Sequence, residues 1–286
     1  METRHIYKPV RFFLITFLIT WISWFIAAWF SYQEGMQGQQ LLFMVPGLLA
    51  PFIAVLIMIA GRKNKPMRQN FWDRLNPRKI NLRYLPAILL IMPFVLFLAT
   101  ALSLLFGQPA KQFLLASEYK IMDGQVLLSL LILFLAPTFE ELGWRGYGVD
   151  SLRSKFDLFK TTLIFTLLWA LWHLPLFFIR GYYQNELWNT SIVYVINFFV
   201  SILPATILMN WMYYKNNRSI TAAILFHFML NLFSVLFQTE QFTKCIITVI
   251  LLVISIVIII KDKHFFFAQI KESLILPITS SITEIR

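Results

Sequence analysis

Residues 126–145 read VLLSLLILFLAPTFEELGWR, and this stretch decides what kind of molecule the chain is. Val126–Phe139 is apolar apart from Ser129 and Thr138, and then Glu140, Glu141 and Arg145 follow within six positions. A helix needs about 20 apolar residues to cross a bilayer. This run therefore spans only if its helix continues through both glutamates. An ionisable side chain at mid-membrane costs roughly 2.5–3.5 kcal/mol on insertion scales, so tandem glutamates there ask for a reason.

Working outward, seven more apolar stretches flank this one: Val10–Phe30, Leu41–Ala60, Tyr84–Phe106, Leu158–Ile179, Ser191–Tyr213, Ile220–Phe237 and Cys245–Ile260. The fourth stretch, Val126–Phe139, and the eighth are short. The composition agrees with such threading. Of 286 residues 58% are hydrophobic and 14% are charged, and the mean hydropathy is +0.68. Soluble domains average about 25% charged residues. One soluble core could not hide this much apolar surface. The expected fold is an all-α polytopic integral membrane protein, a bundle of about eight transmembrane helices, forming one domain over residues 1–286. Val10–Phe30 exceeds the apolar core of a signal peptide and reads as a retained anchor. Cys245 is the single cysteine, which excludes an intrachain disulfide and a cysteine-based metal cluster.

The net charge of +11 at first suggests nucleic acid, but its placement gives another meaning. Of the 25 Lys and Arg, 21 fall on one side of the threading: the two termini and the loops after spans two, four and six. The positive-inside rule puts both termini in the cytoplasm. Expected partners are membrane lipids, with anionic headgroups near the Arg62–Arg83 loop, and no nucleic acid. The apolar tail after Lys261 is expected to lie on the membrane surface.

Against this apolar background the polar exceptions stand out. They are Glu140 and Glu141, His173 in span five and His227 in span seven, with Asn197, Asn210 and Asn231 as uncharged companions. Glu141 and Arg145 are four apart and share a helix face, so they can pair. Glu140 is rotated by about 100° and is not committed to that arginine. His227 and Asn231 are again four apart. His173 stands one turn after Trp169 and two residues before Pro175, which disturbs the turn carrying it. Each group taken singly has a plain structural explanation: an interfacial cap and salt bridge for the glutamates, helix–helix hydrogen bonds for the histidines and asparagines. Together, costly groups on three spans describe a shared wet cavity. Glu140 could serve there as general base, and a histidine opposite could hold the same water. Asn231 and His227 could donate to a developing oxyanion, worth about 2.7–4 kcal/mol per donor. That set suits hydrolysis of an amide by activated water, and no serine or cysteine is placed to act as nucleophile.

Three strings, Glu140-Glu141-Leu142-Gly143-Trp144-Arg145, Trp169-Ala170-Leu171-Trp172-His173 and His227-Phe228-Met229-Leu230-Asn231, together resemble the CAAX-protease and bacteriocin-processing family. More narrowly, they are similar to the type II CAAX prenyl endopeptidases of the Ras-converting type. The resemblance covers the second half of the chain, with the core motifs within 125–238. Trp169 departs from it, since the family usually carries Phe there. The resemblance implies an intramembrane endopeptidase that removes the last three residues of a prenylated CAAX protein or peptide. It further implies Glu140 and His173 as the water-activating pair, His227 and Asn231 as the oxyanion hole, and Glu141 and Arg145 as support. No bound cofactor is expected; were a divalent metal present, Glu140, His173 and His227 would be its ligands. Two other readings stay open. One is an ion- or proton-coupled transporter or channel, and the other a non-catalytic family member acting as scaffold or immunity protein.

Topology puts the site's mouth on the cytoplasmic side. Depth fits less well. His227 lies eight residues from Ser219, roughly 12 Å, and His173 thirteen from Lys160, roughly 20 Å at 1.5 Å per residue. Glu140, at the end of its apolar run, sits nearer the basic face unless that helix continues inward.

Overall fold

The computed structural model describes residues 7–119 and 124–268. Among these the chain is helical throughout, with no strand and one isolated bridge, Leu115 to Phe237. The helices α1 (Pro9–Ser31) and α2 (Gln37–Ile59) form an antiparallel pair. A short α3 (Lys65–Asp73) follows in the basic loop, and α4 (Leu85–Leu104) returns across the bundle. Next, α5 (Gly124–Gly143) runs through a π-helical turn, Trp144–Gly148, into α6 (Val149–Arg153). After α7 (Leu158–Trp172) comes a 3-10 segment, Leu174–Phe178, and the short α8 (Tyr183–Thr190). The last spans are α9 (Ile192–Lys215), α10 (Ile220–Val235) and α11 (Gln241–Lys261), before α12 (Lys263–Phe267). Side chains start several of them: Asp157, Ser191 and Ser219 each accept a hydrogen bond from a first-turn amide.

Seven helices are long and apolar enough to cross a membrane, and the shorter apolar α10 makes eight segments. The chain is an all-α, multi-pass integral membrane protein. The short expected stretches resolve differently from one another. The fourth does continue through both glutamates, giving a 30-residue span over Gly124–Arg153. The eighth begins at Gln241, because a polar first turn hides its start from hydropathy. The short one is instead α10, whose 16 residues reach about 24 Å against a hydrocarbon core of about 30 Å. The tail after Lys261, expected on the membrane surface, is described only to Ala268; the remainder lies outside the described residues.

In lipid the helices are not driven together by the hydrophobic effect, so close packing and hydrogen bonds must hold them. Both are visible. A Cβ added at Gly143 would stand 2.2 Å from Pro51 Cβ, so glycine alone lets α5 meet α2 this closely. Trp172 Nε1 donates to Thr20 Oγ1 at 2.8 Å, and Thr20 donates to the Gly47 carbonyl at 2.9 Å. That chain links α7, α1 and α2. At the basic end, Asp150 is fully buried and accepts from Arg74 Nη1 at 2.7 Å, Tyr213 Oη at 2.9 Å and Arg218 Nη2 at 2.5 Å. Arg74 also donates to the Arg145 and Gly146 carbonyls at 2.8 and 2.7 Å. Carbonyls of the π turn thus find donors outside their own helix. One carboxylate thereby ties the α3 loop to α6 and the α9–α10 turn.

Leaving the buried Arg74 and the part-buried Arg218 guanidinium without their acid should be costly. Asp150→Asn is expected to lower the unfolding free energy in detergent by about 3–5 kcal/mol, the range for breaking a buried ion pair. Denaturant unfolding of the purified protein measures this, and wild-type stability would refute the role.

Candidate active site

The continuation of α5 places the first glutamate. Glu140 lies thirteen residues before Arg153, roughly 20 Å from the basic end of that span at 1.5 Å per residue. This is the depth that His173 has from Lys160, so the two belong to one level. Pro175 does end α7: the helix stops at Trp172, and His173 occupies its C-terminal cap before the 3-10 segment. His227 and Asn231 project from α10 four residues apart. All four expected residues line one cavity of about 680 Å³.

The indole of Trp169 stands at the centre of the site. Its ring centroid lies 5.5 Å from that of His173 and 5.4 Å from that of His227. Its Nε1 donates to Glu140 Oε2 at 3.1 Å, and Trp144 Nε1 donates to the same oxygen at 3.3 Å. The second oxygen, Oε1, accepts nothing from the described protein. Two indoles therefore fix the carboxylate through one oxygen and leave the other facing the cavity.

The histidine tautomers follow from their partners. His173 Nδ1 sits 2.7 Å from the Trp169 carbonyl, which can only accept, so Nδ1 carries the proton and Nε2 bears the lone pair. His227 Nδ1 sits 2.9 Å from Glu141 Oε1. Glu141 is ionised against Arg145, whose Nη1 donates to both its oxygens at 2.9 Å, so His227 Nδ1 donates as well. Its Nε2 then donates only when the ring is a cation. The Asn231 amide lines the cavity and makes no hydrogen bond to the described protein.

Below this level lies a buried polar layer. Glu141 and Arg145 are both fully buried. Arg145 Nη2 donates to Asn210 Oδ1 at 3.0 Å, and Asn210 donates onward to Thr162 at 3.0 Å. The Arg145 guanidinium also lies 5.1 Å from the Phe165 ring centroid. Asn210 thus bonds between helices, as the sequence suggested, while Asn197 lines the cavity instead. The Glu141–Arg145 pair was legible from its spacing. The Glu141–His227 contact, the two indole donors and the Arg74–Asp150 cluster were not. A tryptophan one turn before His173 was the one local signal for the hub.

The cavity extends toward the sparsely charged loops. Gln40, Tyr182, Gln184, Thr239 and Lys244 line its far end, and no residue of the basic 62–83 loop does. Exposed apolar residues also line it: Leu41, Val45 and Ile132 are each more than half exposed. They belong to α2 and α5, which touch at Pro51 and Gly143 nearer the basic end. Among the described residues no three His, Cys, Asp or Glu side chains gather closely enough to hold a metal ion. The set Glu140, His173 and His227 therefore does not fit a three-ligand site.

Comparison with known proteins adds two findings. Residues 123–233 match the family model described as type II CAAX prenyl endopeptidase Rce1-like. The chain is also 44% identical over 271 residues to CAAX prenyl protease 2 of Methanococcus maripaludis, covering 94% of this chain and all of that relative.

The two glutamates should respond differently to loss of charge. Glu141→Gln, which strands the buried Arg145, is expected to cost about 3–5 kcal/mol of stability. Glu140→Gln keeps an acceptor for both indoles and should cost no more than about 1 kcal/mol. Paired unfolding curves test this, and equal losses would refute the division.

Proposed function

Because this chain belongs to the type II CAAX prenyl endopeptidase Rce1-like family and is a membrane-embedded protease, we propose that it removes the C-terminal tripeptide of prenylated CAAX proteins by Glu140-activated water. The observation carrying the mechanism is the free oxygen of Glu140 on the level of His173, with both side chains lining one cavity. Water donates one proton toward Glu140 Oε1 and the other toward His173 Nε2, leaving a lone pair for the scissile carbonyl carbon. The C–O bond forms as charge develops on the carbonyl oxygen. Asn231 Nδ2 donates to that oxyanion, joined by His227 Nε2 when that nitrogen carries a proton. Collapse breaks the C–N bond, and Glu140 returns its proton to the leaving amine. Glu141 and Arg145 hold His227 and the π turn in place without touching substrate. No step passes through a metal or other cofactor.

A substrate that carries a prenyl chain has a route suited to it. The exposed apolar rim at Leu41, Val45 and Ile132 supports lateral entry from the bilayer, with the lipid leading. The charge distribution supports termini on the cytoplasmic face. Lipid is the partner along the outer faces of the bundle, and nucleic acid has no part. Family membership favours this reading over a transporter or a non-catalytic scaffold.

Glu140→Gln should leave a folded protein whose cleavage of a farnesylated CAAX peptide falls by at least about 100-fold, the lower range for a lost general base. Full activity in that variant would sink the mechanism. Purified enzyme treated with a strong chelator should cleave at its untreated rate, and chelator inactivation reversed by added metal would overturn the metal-free reading.

A further inference from the structure

The far end of the cavity carries a second set of polar groups that the hydrolytic chemistry does not use. Lys244, on the first turn of α11, is the sole lysine or arginine among the described residues lining the cavity. It has no carboxylate partner among the described residues; its Nζ reaches only the Tyr183 hydroxyl at 3.4 Å and that ring at 4.7 Å. Gln184, which also lines the cavity, is 7% exposed, and its Oε1 is buried without a hydrogen-bond partner. Thr239 Oγ1 is likewise buried and unpartnered. A buried amide group without a partner is costly unless a ligand answers it, and the part-exposed Lys244 ammonium offers a charge at the same cavity.

We propose that Lys244 and Gln184 form a subsite for the free C-terminal carboxylate of the peptide, which makes Lys244 a specificity-determining residue. The inference rests on the protease reading above, and it adds how the enzyme recognises a chain end. Both groups line the cavity that also holds Glu140, His173, His227 and Asn231. Three extended residues, the length between the scissile carbonyl and the terminal carboxylate, reach about 10 Å. The ammonium donates to one carboxylate oxygen, and the Gln184 amide, turned to present its nitrogen, donates to the other. An internal peptide segment offers no such charge, so the subsite selects chain ends.

The test compares two farnesylated CAAX peptides that differ only in ending as a free acid or as an amide. Wild-type enzyme should cleave the acid with a KM about tenfold lower, the effect of one charge-assisted contact. Lys244→Met should raise the KM for the acid to that for the amide with kcat little changed, and Lys244→Arg should restore the preference. Equal KM values for acid and amide in the wild type, or an unchanged preference in K244M, would overturn the subsite. A second arm separates it from the proteolytic reading. Binding of the same two peptides is measured on Glu140→Gln protein with Lys244 present and with Lys244→Met. Acid-selective binding that depends on Lys244 supports the subsite even if neither peptide is cut, and indifference to the terminal group refutes it.

Discussion

A carboxylate with no water around it must be answered by protein, and in this bundle Glu141 is that carboxylate. It accepts from Arg145 on its own helix and from His227 on α10, 86 residues away in sequence. Arg145 in turn reaches Asn210 on α9, and its backbone carbonyl is held by Arg74 from the basic loop. Three spanning helices and a loop are therefore registered against one charge. Hydrocarbon supplies no alternative partner for any of these groups, which makes the arrangement a fixed one. His227 has its ring orientation set by this layer before any substrate arrives.

Neighbouring glutamates one residue apart thus do unlike work because a helix turns about 100° between them. Glu141 faces the polar layer and is saturated. Glu140 faces the cavity and is tethered through one oxygen by Trp144 and Trp169. The same Trp169 touches both histidine rings, so a single indole sets the spacing among Glu140, His173 and His227. Phenylalanine at that position would keep the ring contacts and lose the N–H. Trp169 thereby holds Glu140 with a second indole N–H beside that of Trp144.

How far the sequence carried this account depends on the range of each interaction. The eight apolar segments were legible because lipid demands them, and the charge bias paired with them. The Glu141–Arg145 pair was legible because it is local, at helical spacing. The inward run of α5 was not, since Glu140, Glu141 and Arg145 depress hydropathy and only tertiary partners make their burial tolerable. Contacts such as Glu141 with His227 and Asp150 with Arg74 join distant segments, and nothing in local spacing announces them. The reach of the cavity was not legible for a related reason: charge counts report loops, whereas the cavity lining comes from helices distant in sequence.

The central claim is that water is activated between Glu140 and His173 while Asn231 waits for the oxyanion. The most direct measurement is an experimental structure of the Glu140→Gln protein with an uncleaved farnesylated CAAX peptide bound. The scissile carbonyl oxygen should lie about 2.7–3.1 Å from Asn231 Nδ2, the distance expected of an oxyanion donor, with its carbon facing residue 140 and His173. A peptide whose scissile carbonyl points away from Asn231, or that binds outside this cavity, would contradict the account.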